Sequence, residues 1–128
     1  MNRTILLTAA ILGVTSIILG AFGAHGLKAL ISPESVQTFE TGVRYQMYHA
    51  LFLLFVGSTT YISVKSKTKI FYLVVVGVLF FSGSIYGLST NVLTGFDFKT
   101  IGIITPVGGL LLIVAWVLVF IDFLKKQN

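Results

Sequence analysis

The chain has 128 residues, of which 55% are hydrophobic and only 10% charged, with a mean hydropathy of +0.97, no cysteine and a net charge of +5. A water-soluble domain of this size carries about a quarter charged residues, so the solvent implied is lipid. Disulfides, thiolate ligands and thiol nucleophiles are excluded, and the positive charges lie mainly between apolar runs, where they set membrane orientation rather than contact nucleic acid.

The first apolar run, Thr4–Ala24, follows Arg3. It is longer than the core of a secretory signal and long enough, at about 1.5 Å per residue, to cross a hydrocarbon layer of ~30 Å. A retained membrane helix is therefore expected. It ends in Gly20-Ala21-Phe22-Gly23-Ala24-His25-Gly26, where small residues surround one aromatic and one histidine. Close helix packing followed by a glycine cap is the plain reading. The sharper one turns His25 into a polar site, because ionisable groups at membrane depth are costly and tend to be functional.

The connection that follows has helical character of its own. Ser32 can cap a helix whose first residue is Pro33, with Glu34 at its positive end. Val36, Phe39 and Val43 recur at helical spacing, so a short amphipathic helix over residues 33–42 is expected on the membrane surface. Gly42 offers a bend into the next span, although one continuous helix fits as well. Glu40 and Arg44 stand at i,i+4 in the orientation that favours an ion pair.

The second apolar run, Met47–Val64, is preceded by Arg44-Tyr45-Gln46 and contains His49. Tyr45, Gln46 and His49 share one helix face, and His25, Arg44, Tyr45, Gln46 and His49 form the candidate polar or ligand site. The third run, Ile70–Thr90, carries Ser82 and Ser84, which can bond back to carbonyls one turn earlier, and Tyr86, whose hydroxyl needs a partner. The fourth, Ile101–Ile121, has Thr105-Pro106 in its first turn, where proline costs little. Gly20, Gly23, Gly83, Gly87, Gly108 and Gly109 are the expected close-packing positions. None of the four runs alternates as a barrel strand would. The fold expected is a single all-α domain over residues 1–128, a four-transmembrane-helix bundle with an interfacial helix between the first two spans.

Chemistry is sparse. Two histidines without cysteine fall short of the three or four ligands of a metal site, and although they could serve as haem axial ligands, no cofactor and no metal are expected. Neither a Gly-x-Ser-x-Gly elbow nor a phosphate-binding glycine loop occurs, so no catalytic residue is assigned and an enzyme is not expected. The first functional reading is a non-enzymatic accessory, assembly or lipid-interacting protein. The alternatives are a small transporter, flippase or channel component working through His25 and His49, and a haem-binding redox protein. Membrane lipids are the expected partners, then another membrane protein or a second copy of the chain.

The segments Gly20–Gly26, Tyr45–Leu51, Phe80–Tyr86 and Ile104–Gly109 occur in the same order in the domain of unknown function 423 family, which the whole chain resembles. Ala115-Trp116 stands where the family pattern has glycine before tryptophan, and the connection Asn91–Thr100 looks longer than usual. The resemblance implies four spans and a cell-membrane location, as in small bacterial inner-membrane proteins, and no activity.

Orientation follows from the basic residues. Arg3, Lys65, Lys67, Lys69, Lys125 and Lys126 fall on one side of the expected spans, and Lys28, Arg44 and Lys99 on the other. The richer side is cytoplasmic, which puts both termini there. A cysteine introduced at Ser66 or Gln127 should therefore resist an impermeant thiol reagent added to intact cells. Labelling from outside would overturn the orientation.

Overall fold

The computed structural model describes residues 1–94 and 102–125, and among them every regular element is helical. α1 spans Asn2–Ala24, a 3₁₀ turn covers Leu27–Ala29, and α2 spans Pro33–Ser58. After a short turn come α3 (Val64–Val78), a π turn (Leu79–Gly83) and α4 (Ser84–Ser89), which together make one continuous rod. α5 (Asn91–Thr94) is a single turn, and α6 covers Ile104–Lys125. Three stretches are long and apolar enough to cross a membrane: Asn2–Ala29, Val64–Ser89 and Ile104–Lys125.

Two helix pairs build the bundle, α1 against α2 and α3 against α6. Their shared core contains Ile5, Leu53, Val56, Ile70, Val74, Leu112 and Ala115. Outward faces remain apolar, with Ile11, Val14, Ile17, Ile18, Leu110, Ile113 and Phe120 all exposed. A surface of that kind is stable only where the surroundings are hydrocarbon too.

The second helix differs from its expected boundaries. Ser32 does cap it, its hydroxyl accepting from Ser35 N–H at 3.2 Å, but α2 then continues unbroken to Ser58. The stretch 33–42 is thus the first part of one helix rather than a separate surface helix, because it has something better to pack on than a membrane surface. Phe39 is buried with its ring against Tyr86 (centroids 5.0 Å apart), and Gly23 leaves room for that ring. The apolar run also stops before Val64: Thr59 adopts an extended conformation, Ser63 caps α3 with its hydroxyl accepting from Ser66 N–H, and Val64 opens the next helix.

Gly26 keeps right-handed angles (φ −64°, ψ −48°), so the expected left-handed glycine cap does not form. Leu27, fully buried, pulls the chain instead into the 3₁₀ turn. The expected start of the last span at residue 101, the connection 95–100 and Lys126 lie outside the described residues.

Glycines set the helix spacing, though not all those expected. An added Cβ would come within 3.0 Å of Phe39 at Gly23 and 3.4 Å of Val43 at Gly20, but would meet nothing within 4 Å at Gly83. Closer approaches occur at Gly42 (Tyr86, 2.8 Å), Gly57 (Leu6, 2.9 Å) and Gly77 (Leu112, 2.8 Å). Gly108 is the tightest, since its Cβ would run into the backbone of Phe80 and Phe81 and lie 2.8 Å from Gly77 O. The π turn sits at this crossing. An extra residue per turn widens a helix locally and commonly marks a functional element, and here the widened turn receives the α6 backbone. Gly109, one residue on, would make only an ordinary contact with Phe81 at 3.6 Å. Gly108→Ala should therefore destabilise the fold by on the order of 3 kcal/mol, backbone being unable to yield. Gly109→Ala should change it by less than about 0.5 kcal/mol. Thermal unfolding of the two variants in detergent checks the contrast, and equal melting temperatures would contradict the crossing.

Candidate functional site

The register between α1 and α2 decides where the polar residues meet. Gly23 faces Phe39, Gly20 faces Val43, Gly13 faces Ala50, and Gly57 faces Ile5 and Leu6. The two helices therefore run antiparallel along nearly their whole length. Gln46 and His49 consequently lie halfway along α1.

Gln46 is 5% exposed and spans three elements. Its Nε2 donates to Leu12 O at 3.0 Å and to Thr15 Oγ1 at 2.7 Å on α1, while its Oε1 accepts from the Tyr86 hydroxyl of α4 at 2.7 Å. Thr15 Oγ1 donates onward to Ile11 O at 2.9 Å. Ser82 Oγ in the π turn donates to Gly42 O of α2 at 2.7 Å. This bond crosses between helices, where a bond back along its own helix was expected, because the short Gly42 approach brings a carbonyl within reach. Ser84 behaves as expected, donating to Phe81 O at 3.2 Å, and its hydroxyl also meets that of Thr105.

His49 is 4% exposed and uses both ring nitrogens. Nδ1 is 2.7 Å from Tyr45 O, and Nε2 accepts from the indole N–H of Trp116 at 3.2 Å. A carbonyl only accepts and an indole N–H only donates, so the ring carries its hydrogen on Nδ1 and is neutral. Its ring makes T-shaped contacts with Phe52 and Trp116 at centroid distances of 5.9 and 6.2 Å. Among the described residues no buried side-chain polar atom lacks a partner.

Beside His49 runs a groove of about 330 Å³, lined by Tyr45, His49, Phe81, Gly109, Leu112, Ile113 and Trp116. Tyr45, Ile113 and Trp116 are exposed, so the groove opens on the flank of the bundle between α2, the π turn and α6.

The other candidates are not brought in. Arg44, two residues before Gln46, points to a different face and is exposed, and its Nη2 donates to Thr41 Oγ1 at 3.0 Å. That hydroxyl, three residues back on the same helix, takes the place of the expected pair with Glu40. His25 caps the C-terminus of α1 through its backbone N–H, and its side chain is exposed. The register above sets His49 level with Gly13, so His25 stands about twelve residues, roughly 18 Å, further along the axis. The two histidines do not converge.

Two polar residues that the sequence did not single out are buried at the opposite end. Asp122 accepts from Ser63 N–H at 2.9 Å through Oδ2 and from Ser66 Oγ at 2.8 Å through Oδ1, so α6 caps α3. Lys67, 4% exposed, donates to Asn2 Oδ1 at 3.0 Å, tying α1 to the start of α3. Signals existed for Asp122 and for Trp116, which the sequence did not place in the site either. Asp122 is the one acid after residue 100, and Trp116 is the chain's one tryptophan, whose N–H needs an acceptor in an apolar helix.

Comparison with known proteins agrees with a membrane setting. The family model described as Protein of unknown function (DUF423) matches residues 19–109. A UPF0382 membrane protein of Staphylococcus aureus is 44% identical over 109 residues, 83% of each chain. A second, from Staphylococcus haemolyticus, is 37% identical over 126 residues, covering 96% of this chain and 97% of the relative. The UPF0382 membrane protein YwdK of Bacillus subtilis is 35% identical over 125 residues, 96% of this chain and 98% of the relative. No solved structure matches. The chain belongs to the DUF423 family and is a membrane protein of a family without a known function.

The Gln46–Tyr86 bond can be isolated by a double-mutant cycle. Gln46→Leu leaves the Tyr86 hydroxyl without its acceptor and should cost about 2 kcal/mol, and Tyr86→Phe about 1 kcal/mol. The double variant should cost about 1 kcal/mol less than the sum. Strict additivity in detergent unfolding would mean that the two side chains do not interact.

Proposed function

We propose that this member of the family is a non-enzymatic accessory protein of the cell membrane that holds a lipid acyl chain in the flank groove. The observation carrying this reading is the state of His49. With Nδ1 on Tyr45 O and Nε2 on Trp116 N–H, the imidazole has no free nitrogen to move a proton, bind haem iron or activate a nucleophile. What remains at the groove is a wall of Phe81, Leu112, Ile113 and Trp116, a floor at Gly109 and the rim of Tyr45. Such a mainly apolar shape recognises hydrocarbon, and with both His49 nitrogens engaged it supports a binding role.

The reading includes four spans with both termini cytoplasmic. Supporting it, α2 lies along α1 from Phe39 beside Gly23 to the neighbourhood of Ile5, so a membrane crossed by α1 encloses α2 as well. The excess of basic residues near both ends and in the turn after α2 also requires an even number of crossings. Leu51, Leu54 and Phe55 give the second half of α2 an apolar outward face.

Filling the groove tests its occupant. Gly109→Leu places a branched side chain on the groove floor, where the glycine leaves ordinary contact distance. Native mass spectrometry of the wild-type protein, released gently from detergent, should show one more bound phospholipid than the variant, with little change in melting temperature. Equal lipid retention by both proteins would remove the acyl-chain reading.

A further inference from the structure

We infer that the end of the bundle formed by the α2–α3 turn and the last turn of α6 holds a phosphate group, that of an anionic phospholipid headgroup. This site lies away from the flank groove and does not depend on it. Ser63, Lys65, Ser66, Lys69, Asp122 and Lys125 line one cleft of about 300 Å³. Three ammonium groups thus share it with a single carboxylate.

That carboxylate is already engaged. Both Asp122 oxygens are committed, one to the Ser63 amide at 2.9 Å and one to the Ser66 hydroxyl at 2.8 Å, and the side chain is 8% exposed. Its charge serves the positive end of α3 first and also attracts Lys125, which leaves the cleft with an excess of positive charge. Lys67 is also accounted for, turned inward to Asn2. Lys65, Lys69 and Lys125 are exposed and face the cleft together. Lys65 and Lys69 stand one helical turn apart on one face, a like-charge arrangement unfavourable on its own and favourable once an anion lies between them.

The chemistry selects phosphate. Lysines act as separate point charges, and three of them around a concavity suit the several oxygens of one phosphate better than a planar carboxylate. The setting selects a lipid. Tyr61 and Tyr72, both exposed, flank the same turn with rings suited to the headgroup zone. Basic residues next to the ends of membrane helices attract anionic headgroups.

The test compares the wild type with Lys65→Gln/Lys69→Gln/Lys125→Gln, a variant that keeps the side-chain stems. Each is unfolded thermally in neutral detergent with added phosphatidylglycerol, phosphatidylcholine, or sodium phosphate against sodium chloride at equal ionic strength. Phosphatidylglycerol should raise the wild-type melting temperature by several degrees over phosphatidylcholine, and the triple variant should lose that difference. Arg44→Gln, which removes a cation at a distant position, should retain it. Equal shifts in the wild type and the triple variant would overturn the site, and so would no shift in either. A loss in Arg44→Gln as large as in the triple variant would reduce the effect to net charge and overturn it too. A lysine-dependent shift with inorganic phosphate and none with phosphatidylglycerol would overturn the lipid assignment and leave a soluble phosphate as occupant. If the triple variant fails to fold, Lys125→Gln alone, at the exposed end of α6, is read the same way with a partial loss expected.

Discussion

A single buried amide ties three of the helical elements together. Gln46 sits where α1, α2 and α4 meet, and its donors and acceptor are all used within the protein. In hydrocarbon nothing else could satisfy them, and an unpaired amide there costs roughly 4–8 kcal/mol. Apolar packing alone cannot choose between helix registers in a lipid solvent, since a leucine is as content against lipid as against another helix. The amide makes that choice. Sliding α2 by one residue along α1 would take Gln46 off Thr15 and Leu12, and would also move Gly20, Gly23 and Gly57 away from the side chains they accommodate. Polar bond and small-residue contacts therefore specify the same register, each excluding the slips that the other would tolerate.

A second polar lock does for α6 what Gln46 does for α1. The Trp116 indole reaches His49 Nε2, and Asp122 at the other end of α6 caps α3. About two turns before the first of these anchors, near the start of α6, its backbone at Gly108 crosses the rod of α3 and α4 at the π turn. The widened turn is a consequence of the crossing. Phe80 and Phe81 must keep their rings while their backbone yields space, and an extra residue in the turn achieves both. The lateral groove beside Trp116 is what this crossing leaves unfilled, because Gly109 contributes no side chain to it.

The general fold was readable because its signals are long-range averages: few charges, apolar runs of spanning length and lysines between them. The start of α2 was readable because Ser32-Pro33-Glu34 is a local signal that needs no partner. The continuity of α2 was not, since it depends on Phe39 and Gly42 meeting Tyr86, more than forty residues away in the chain. The candidate site was readable as residue types and not as an assembly. Gln46, His49 and Tyr86 announce themselves as polar groups that hydrocarbon will not accept alone. Their pairing with Thr15 and Trp116 depends on the register of whole helices, which spacing within one helix cannot supply. His25 misled for the same reason: it lies at the correct end of α1 for a hairpin partner near Arg44, but α2 begins a dozen residues before that point and pairs along its full length.

α2 is not among the helices long and apolar enough to cross a membrane, and its polar residues are unevenly spread along it. Apart from Ser58 at its end, its polar outward residues, Glu34, Gln37, Thr38 and Arg44, precede Tyr45, while Leu51, Leu54 and Phe55 follow it. An arginine at the centre of an isolated membrane helix costs about 2.5–3.5 kcal/mol on insertion scales. Arg44 does not bear that full cost. It stands beside the part of α1 between Gly20 and Thr15, and its long stem turns the guanidinium back to Thr41, toward the start of α2. Thr38 and Thr41 return their hydroxyls to carbonyls of their own helix, Glu34 O and Gln37 O. The polar face of α2 is thus gathered in its first half, while its opposite face is held by α1, α4 and the π turn. α2 is thereby one arm of a hairpin with α1, the least buried of the three helices long and apolar enough to cross a membrane.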